Sequence, residues 1–317
     1  MEFAVNIPTS GGSNEYSTLP YCDTINWHDQ QSYAVTAESV GFDGVAVPDH
    51  LMTGDGATTE CLLTLAGIAG VTDSVYLYPK TINNILRHPP LLAKSLATLD
   101  SISEGRLRVG MGAGWKEDEA IAYGYDWPGA PDRLREMEET IELFIQLWTT
   151  DRVSYDGEYV SVTDACCLPH PIQTPHPPIM VGGGGEEFTL RIAAKHADIW
   201  NFWGPTAVME HKLSVLKRHC ETYDREYNQI TKSWFARCLI RETEAEVKSL
   251  LKDVPRFHPD SISETEFALV GTPTQVESQL RSFLSLGISE IVLEFVDFPE
   301  TDGISLFAET VLKNIQS

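Results

Sequence analysis

Basic residues are scarce in this chain. Its 317 residues carry 23 Lys plus Arg against 46 Asp plus Glu, a formal net charge of −23. A surface so negative repels nucleic-acid phosphates and anionic membranes, so neither is expected as a partner. The acidic excess runs along the whole chain instead of forming a tail, as in a salt-adapted (halophilic) protein. At about 1 M salt the screening length falls to roughly 3 Å and self-repulsion largely disappears. Long apolar runs are missing too. The longest uncharged apolar stretch, Cys61 to Val71, is far too short to span a bilayer, and MEFAVNIPTS has no basic region or apolar run of a signal peptide. A cytoplasmic location is expected.

The six cysteines (Cys22, Cys61, Cys166, Cys167, Cys220, Cys238) include no CxxC pair, and the adjacent Cys166 and Cys167 are poorly placed for a disulfide, so reduced thiols are expected. HExxH is absent. His170 and His176 lie in a proline-rich connector, His211 and His219 are eight apart, and no metal site is expected. With no GxSxG and no cysteine in a nucleophile setting, hydrolase chemistry is not indicated, and neither a Walker motif nor GxGxxG is present.

What is present centres on Arg87 to Trp115, RHPPLLAKSLATLDSISEGRLRVGMGAGW. Pro89 and Pro90 suit a helix's first turn, where a missing N–H costs nothing, and Leu92, Ser95, Leu96, Leu99 and Ile102 recur at helical spacing up to a stop at Glu104-Gly105. Leu107, Val109 and Met111 then alternate with Arg106, Arg108 and Gly110 as in a strand. Gly110, Gly112 and Gly114 leave that strand's carboxyl end bare, either as the floor of a ligand site or to allow tight packing.

Strands near residues 3, 44, 75, 106, 179, 197, 234 and 290, each with a helix after it, predict one α/β domain over 1–317. Its expected fold is a (β/α)8 barrel with the largest insertion between the fourth and fifth strands. A doubly wound sheet is the alternative. The insertion holds an amphipathic helix, Pro131 to Trp148, and a hairpin, Val153 to Val162, turning at Asp156-Gly157. Loops at Thr9 to His28, Ala165 to Pro178 and Arg256 to Glu264 would shape a substrate pocket.

In a barrel the site lies at the carboxyl ends of the strands. Asp49-His50 is the acid/base candidate there, with Asp49 orienting the histidine; alternatively Asp49 caps the following segment. Gly182 to Gly185 with Glu186 would offer backbone N–H groups to an anion at a helix start, or form a simple flexible turn.

With these residues in place the chain resembles the luciferase-like monooxygenase family, which includes the coenzyme F420-dependent oxidoreductases. The likeness is carried by Gly41-Phe42-Asp43 with Asp49-His50, the segment Arg87 to Trp115 with Glu119, and Asp156-Gly157-Glu158-Tyr159. PHPPIMVGGGG from Pro175, AAKHADIWN from Ala193 and VGTPTQV from Val270 continue it. The resemblance implies a reduced flavin or deazaflavin held in the barrel mouth, with Asp49 and His50 beside the ring. It also implies a cis peptide at Lys80-Thr81 behind the ring and Asn83 nearby. Gly112, Ala113, Gly114 and Trp115 would lie along the ring's polar edge, and Gly182 to Gly185 with Glu186 at the phosphate. Family members acting on sugar phosphates carry a tryptophan and a glutamate where this chain has Gly54 and Trp115, which argues against that substrate.

Coenzyme F420-dependent hydride transfer to or from a small organic substrate is the leading expectation. The alternatives are an FMNH2-dependent monooxygenase using O2, fed by a separate flavin reductase, and a non-catalytic flavin-binding protein. Family likeness also implies a homodimer.

Overall fold

A computed structural model describes residues 1–11, 24–53, 56–254 and 267–316. The expected polar segment at 256–264, most of the loop from Thr9 to His28, Gly54 and Cys22 lie outside them.

Short apolar runs bounded by glycine, proline or aspartate form the wall of a barrel. In chain order the elements are β1 (Glu2–Asn6), α1 (Trp27–Ser39), β2 (Gly44–Val47), α2 (Cys61–Ala69), β3 (Tyr76–Pro79), β4 (Ile82–Asn83), α3 (Pro89–Ile102) and β5 (Val109–Gly112). The insertion follows, with α4 (Glu117–Ala122), α5 (Ala130–Thr149), β6 (Val153–Asp156) and β7 (Ser161–Ala165). The second half runs β8 (Ile179–Gly182), α6 (Thr189–His196), β9 (Ile199–Phe202), α7 (Thr206–Thr222), β10 (Thr231–Ile240), α8 (Glu244–Asp253), β11 (Ala268–Gly271), α9 (Pro273–Leu284), β12 (Glu290–Phe295) and α10 (Asp302–Phe307). A π-helical stretch, Ala308–Leu312, breaks the expected closing helix before α11 (Lys313–Gln316).

The parallel sheet runs β3-β2-β1-β12-β10-β9-β8-β5-β4. The Leu77–Leu107 bridge and the pairing of Ile82 and Asn83 with Met111 and Gly112 bring its two ends together, so β3 and β4 are two pieces of one wall strand interrupted at Lys80-Thr81. The result is a (β/α)8 barrel built from every one of the eight expected strands. β11 was not anticipated. It pairs with the upper half of the ten-residue β10, beyond the point where β10 leaves β9.

Alternation sorts the side chains into an inner and an outer core. Ala4, Ala46, Tyr76, Tyr78, Met180, Ile199 and Val292 fill the barrel with Phe235 against them, while a larger cluster packs the helices onto its outer face. At the amino-terminal end Arg108 binds both oxygens of Glu2 at 2.9 Å and lies 3.4 Å over the Tyr76 ring. Burial pushes the neighbouring Glu290 carboxyl up to about 7 against the pull of Arg108. This polar plug closes the end opposite the site.

Helix α3 behaves as its sequence predicts: Leu92, Leu96 and Leu99 are buried, Gly105 (φ 81°) follows its end, and only Ile102 departs by facing solvent. Helix α5 turns Met137, Ile141, Phe144 and Trp148 wholly into the core, so that face serves the barrel. Its acidic side clamps neighbours. Glu138 receives Arg191 at 2.6 Å and Lys195 at 2.5 Å, and Glu139 accepts the N–H groups of Glu158, Tyr159 and Val160. Those three bonds replace the expected Asp156-Gly157 two-residue turn with a longer one spanning Gly157 to Val160, closed by a 3.0 Å Gly157 N–H to Val160 carbonyl bond. Any side chain at Gly157 would stand 2.3 Å from Glu139 Oε2.

Candidate active site

His50 follows β2 at the carboxyl end of the barrel, and its orienting carboxylate is not its neighbour Asp49. Nδ1 lies 3.1 Å from Oε2 of Glu119, the fully buried acid of α4. The other oxygen, Oε1, accepts the N–H groups of Leu51 (2.5 Å) and Met52 (3.0 Å), so one carboxylate fixes both the imidazole and the backbone after it. Burial would raise the Glu119 carboxyl. The His50 and backbone hydrogen bonds outweigh it and hold the group below its ordinary value, hence ionised at neutral pH. A carboxylate only accepts, which places the proton on Nδ1 and leaves the Nε2 lone pair for the mouth. Trp115 stands edge-on to His50 at 5.5 Å and is 60% exposed.

Asp49 is occupied elsewhere. Its carboxylate takes Arg87 through two bonds of 2.5 and 2.8 Å and the Asn83 N–H at 2.9 Å, while Arg87 also reaches Glu60 at 2.5 Å. The expected Asp49–His50 pair is therefore corrected: adjacent in sequence, the two side chains bond to different partners, one tying β2 to the start of α3 and the other facing the mouth.

Lys80-Thr81 is a cis peptide, as the resemblance implied. Its surroundings explain the glycine row. A Cβ at Gly110 would lie 2.1 Å from the Pro79 carbonyl, one at Gly112 2.3 Å from Thr81 Oγ1, and one at Gly182 2.6 Å from Thr81 Cγ2. The glycines of β5 and β8 thus admit the Pro79–Thr81 backbone and the Thr81 side chain against the strand ends. At the rim, Asn83 packs against Gly114 (φ 77°), and Arg133 of α5 holds the carbonyls of Ala113 (3.1 Å) and Gly114 (3.4 Å).

After β8, Gly183 donates to the Asn201 carbonyl at 3.0 Å and its own carbonyl accepts the Trp200 indole N–H at 2.9 Å. No described residue accepts from the N–H groups of Gly184, Gly185 or Glu186. Helix α6 starts at Thr189, one residue after the expected Phe188, and the Glu186 side chain points away to His211 (2.9 Å) and Lys212 (2.7 Å) on α7. Three backbone donors on a bare turn and a buried Asn6 Oδ1 without a partner suit a phosphate-bearing planar ligand.

The fold and this site define a class. The family model of the luciferase-like monooxygenase matches residues 1–262, and the chain belongs to that family. The chain is 35% identical over 184 residues to uncharacterised proteins of Mycobacterium tuberculosis and spans 64% of their length. It is 26% identical over 314 residues to an F420-dependent glucose-6-phosphate dehydrogenase of Nakamurella multipartita, covering 90% of this chain and 91% of that one. An FMNH2-dependent dimethylsulfone monooxygenase of Pseudomonas putida is 24% identical over 339 residues, at 95% and 92% coverage. Among solved structures, an F420-dependent secondary alcohol dehydrogenase in complex with an F420-acetone adduct superposes with a TM-score of 0.82 at 18% identity, covering 98% of both chains. The relatives whose activity is named use a deazaflavin or a flavin. Among the described residues no helix is long and apolar enough to cross a membrane.

Proposed function

We propose that this chain is an F420-dependent oxidoreductase moving hydride between the coenzyme and an alcohol, imine or enone. The observation that carries the reading is His50: its Nδ1 is committed to Glu119, its Nε2 meets no described residue, and it shares the barrel mouth with the bare N–H groups of Gly184 to Glu186. Those three groups would hold the coenzyme's phosphate, Gly183 being spent on Asn201 and Trp200 and so only setting the turn, and Gly112 to Trp115 would flank its ring. The coenzyme supplies the hydride acceptor or donor. His50 Nε2 takes the hydroxyl proton as an alcohol is oxidised and returns it in the reverse direction. Trp115 and Trp203, both exposed, wall the opening against a small organic substrate.

A second reading, an FMNH2-dependent monooxygenase served by a separate reductase, is favoured by the likeness to the dimethylsulfone enzyme over nearly the full chain. A paired titration in molar salt decides between them, following the fluorescence of oxidised F420 and of FMN as protein is added. Tight binding of F420 alone supports the first reading, preference for FMN supports the second, and binding of neither overturns both.

The −23 charge motivates a further expectation, that the protein is salt-adapted. Its melting temperature should rise steeply between dilute buffer and molar salt, as repulsion among the acidic groups is screened. A melting temperature indifferent to salt removes that argument and with it part of the case for F420.

The assembly proposed is a homodimer. Leu63 and Leu91 stand exposed near the amino ends of the neighbouring helices α2 and α3, apolar area that a second copy would cover. The mass from light scattering in molar salt should be that of two chains, falling to one chain for Leu63→Asp with Leu91→Glu.

A further inference from the structure

Lys80 occupies an unusual place. It rises from the wall strand at the β3–β4 junction, yet its ammonium lies 3.3 Å over the ring of Phe235 on β10. β10 is opposite β3 in the barrel, reached through β2, β1 and β12 one way and through β5, β8 and β9 the other. The side chain therefore crosses the barrel as a bar beneath the mouth, just above the apolar layer of Tyr78, Met180 and Val292.

The charge on this bar has no hydrogen-bonded counter-ion among the described residues. The nearby carboxylate, Glu294, is engaged by Asn6 Nδ2 at 2.7 Å and by Arg237 at 3.4 Å. Burial pulls the Lys80 ammonium down to about 8, Glu294 opposing and Arg237 assisting. A cation held this way, with an aromatic face against it and its nearest carboxylate engaged by Asn6 and Arg237, favours any anion that arrives above it.

We propose that the Lys80 ammonium is the cation that stabilises the negative charge a flavin or deazaflavin ring gains on reduction in this barrel. The proposal rests on the function proposed above. Adding hydride to the oxidised ring brings two electrons and one proton, so the ring gains one negative charge unless a second proton follows. A fixed cation under the mouth lowers the energy of the charged product and leaves the oxidised ring little affected. Lys80 then acts on the ring's electronics, separately from the proton that His50 handles.

The test is an anaerobic titration in molar salt, by tryptophan quenching, of oxidised and reduced F420 and of oxidised and reduced FMN. It is run on the wild-type protein, Lys80→Met and Lys80→Arg. The wild type is expected to bind the reduced form of its cofactor about tenfold more tightly than the oxidised form. Lys80→Met should lose that preference, a fall of about 30 mV in the bound two-electron potential, while Lys80→Arg keeps most of it. Equal affinity of the wild type for both redox forms overturns the proposal without any variant, and so does a folded Lys80→Met protein with the wild-type preference. Failure of all four ligands to bind the wild type overturns the functional reading instead.

Discussion

Asp49→Ala is expected to destabilise the protein by about 3–5 kcal/mol, the range for removing one partner of a buried ion pair. The Asp49 carboxylate is buried under two Arg87 bonds and the Asn83 N–H. Alanine leaves the guanidinium with only Glu60, on the solvent side, and leaves the Asn83 N–H without its acceptor. Because that N–H sits where the wall strand resumes after Lys80-Thr81, the damage should spread to the mouth. Urea denaturation in molar salt measures the effect. An Asp49→Ala protein with the wild-type midpoint and no turnover would move Asp49 from the frame back to the reacting centre.

That role for Asp49 was hidden in the sequence, where Asp49-His50 looks like a working pair. Sequence adjacency suggests contact, but on the way out of a strand successive side chains diverge, and each is claimed by what faces it. Arg87 and Glu119 both stand in the family's motifs, and a reading of residue types finds them. Which carboxylate serves which base depends on where the turn after Trp115 sets α4, a contact 69 residues long. The wall itself was far more legible. Most barrel strands are short apolar runs ended by Gly, Pro or a polar turn, and such local signals need no long-range knowledge. β11, no shorter than several wall strands, escaped because it lies off the eight-strand wall and forms only against the extension of β10, a long-range pairing that no local signal announces. The glycine row was found, but its purpose was only half visible: what fills the space it leaves is a stretch of backbone and a threonine from a different strand.

His50→Ala is expected to lower kcat by about 10²–10⁴, the usual worth of a positioned proton-transfer group, with little change in cofactor affinity, since the ring and phosphate would rest on backbone and apolar walls. Glu119→Gln makes the sharper test. The glutamine keeps an oxygen for the Leu51 and Met52 N–H groups but loses the charge that strengthens those bonds, so a modest loss of stability at neutral pH is expected. Its NH2 now faces Nδ1, and an amide donor there drives the ring proton to Nε2, where it blocks the lone pair that must accept the substrate's proton. Turnover in the oxidising direction should therefore fall nearly as far as in His50→Ala. Acid stability should move as well. The folded Glu119 pKa lies below its unfolded value, so the stabilisation is complete above the ordinary carboxylate range near pH 4–5 and is lost as pH falls through the folded value. Glu119→Gln should flatten that limb of the pH–stability curve. Wild-type kcat in Glu119→Gln would show that the histidine tautomer is immaterial and remove His50 from proton transfer, and equal losses of affinity and turnover in His50→Ala would make it a binding residue.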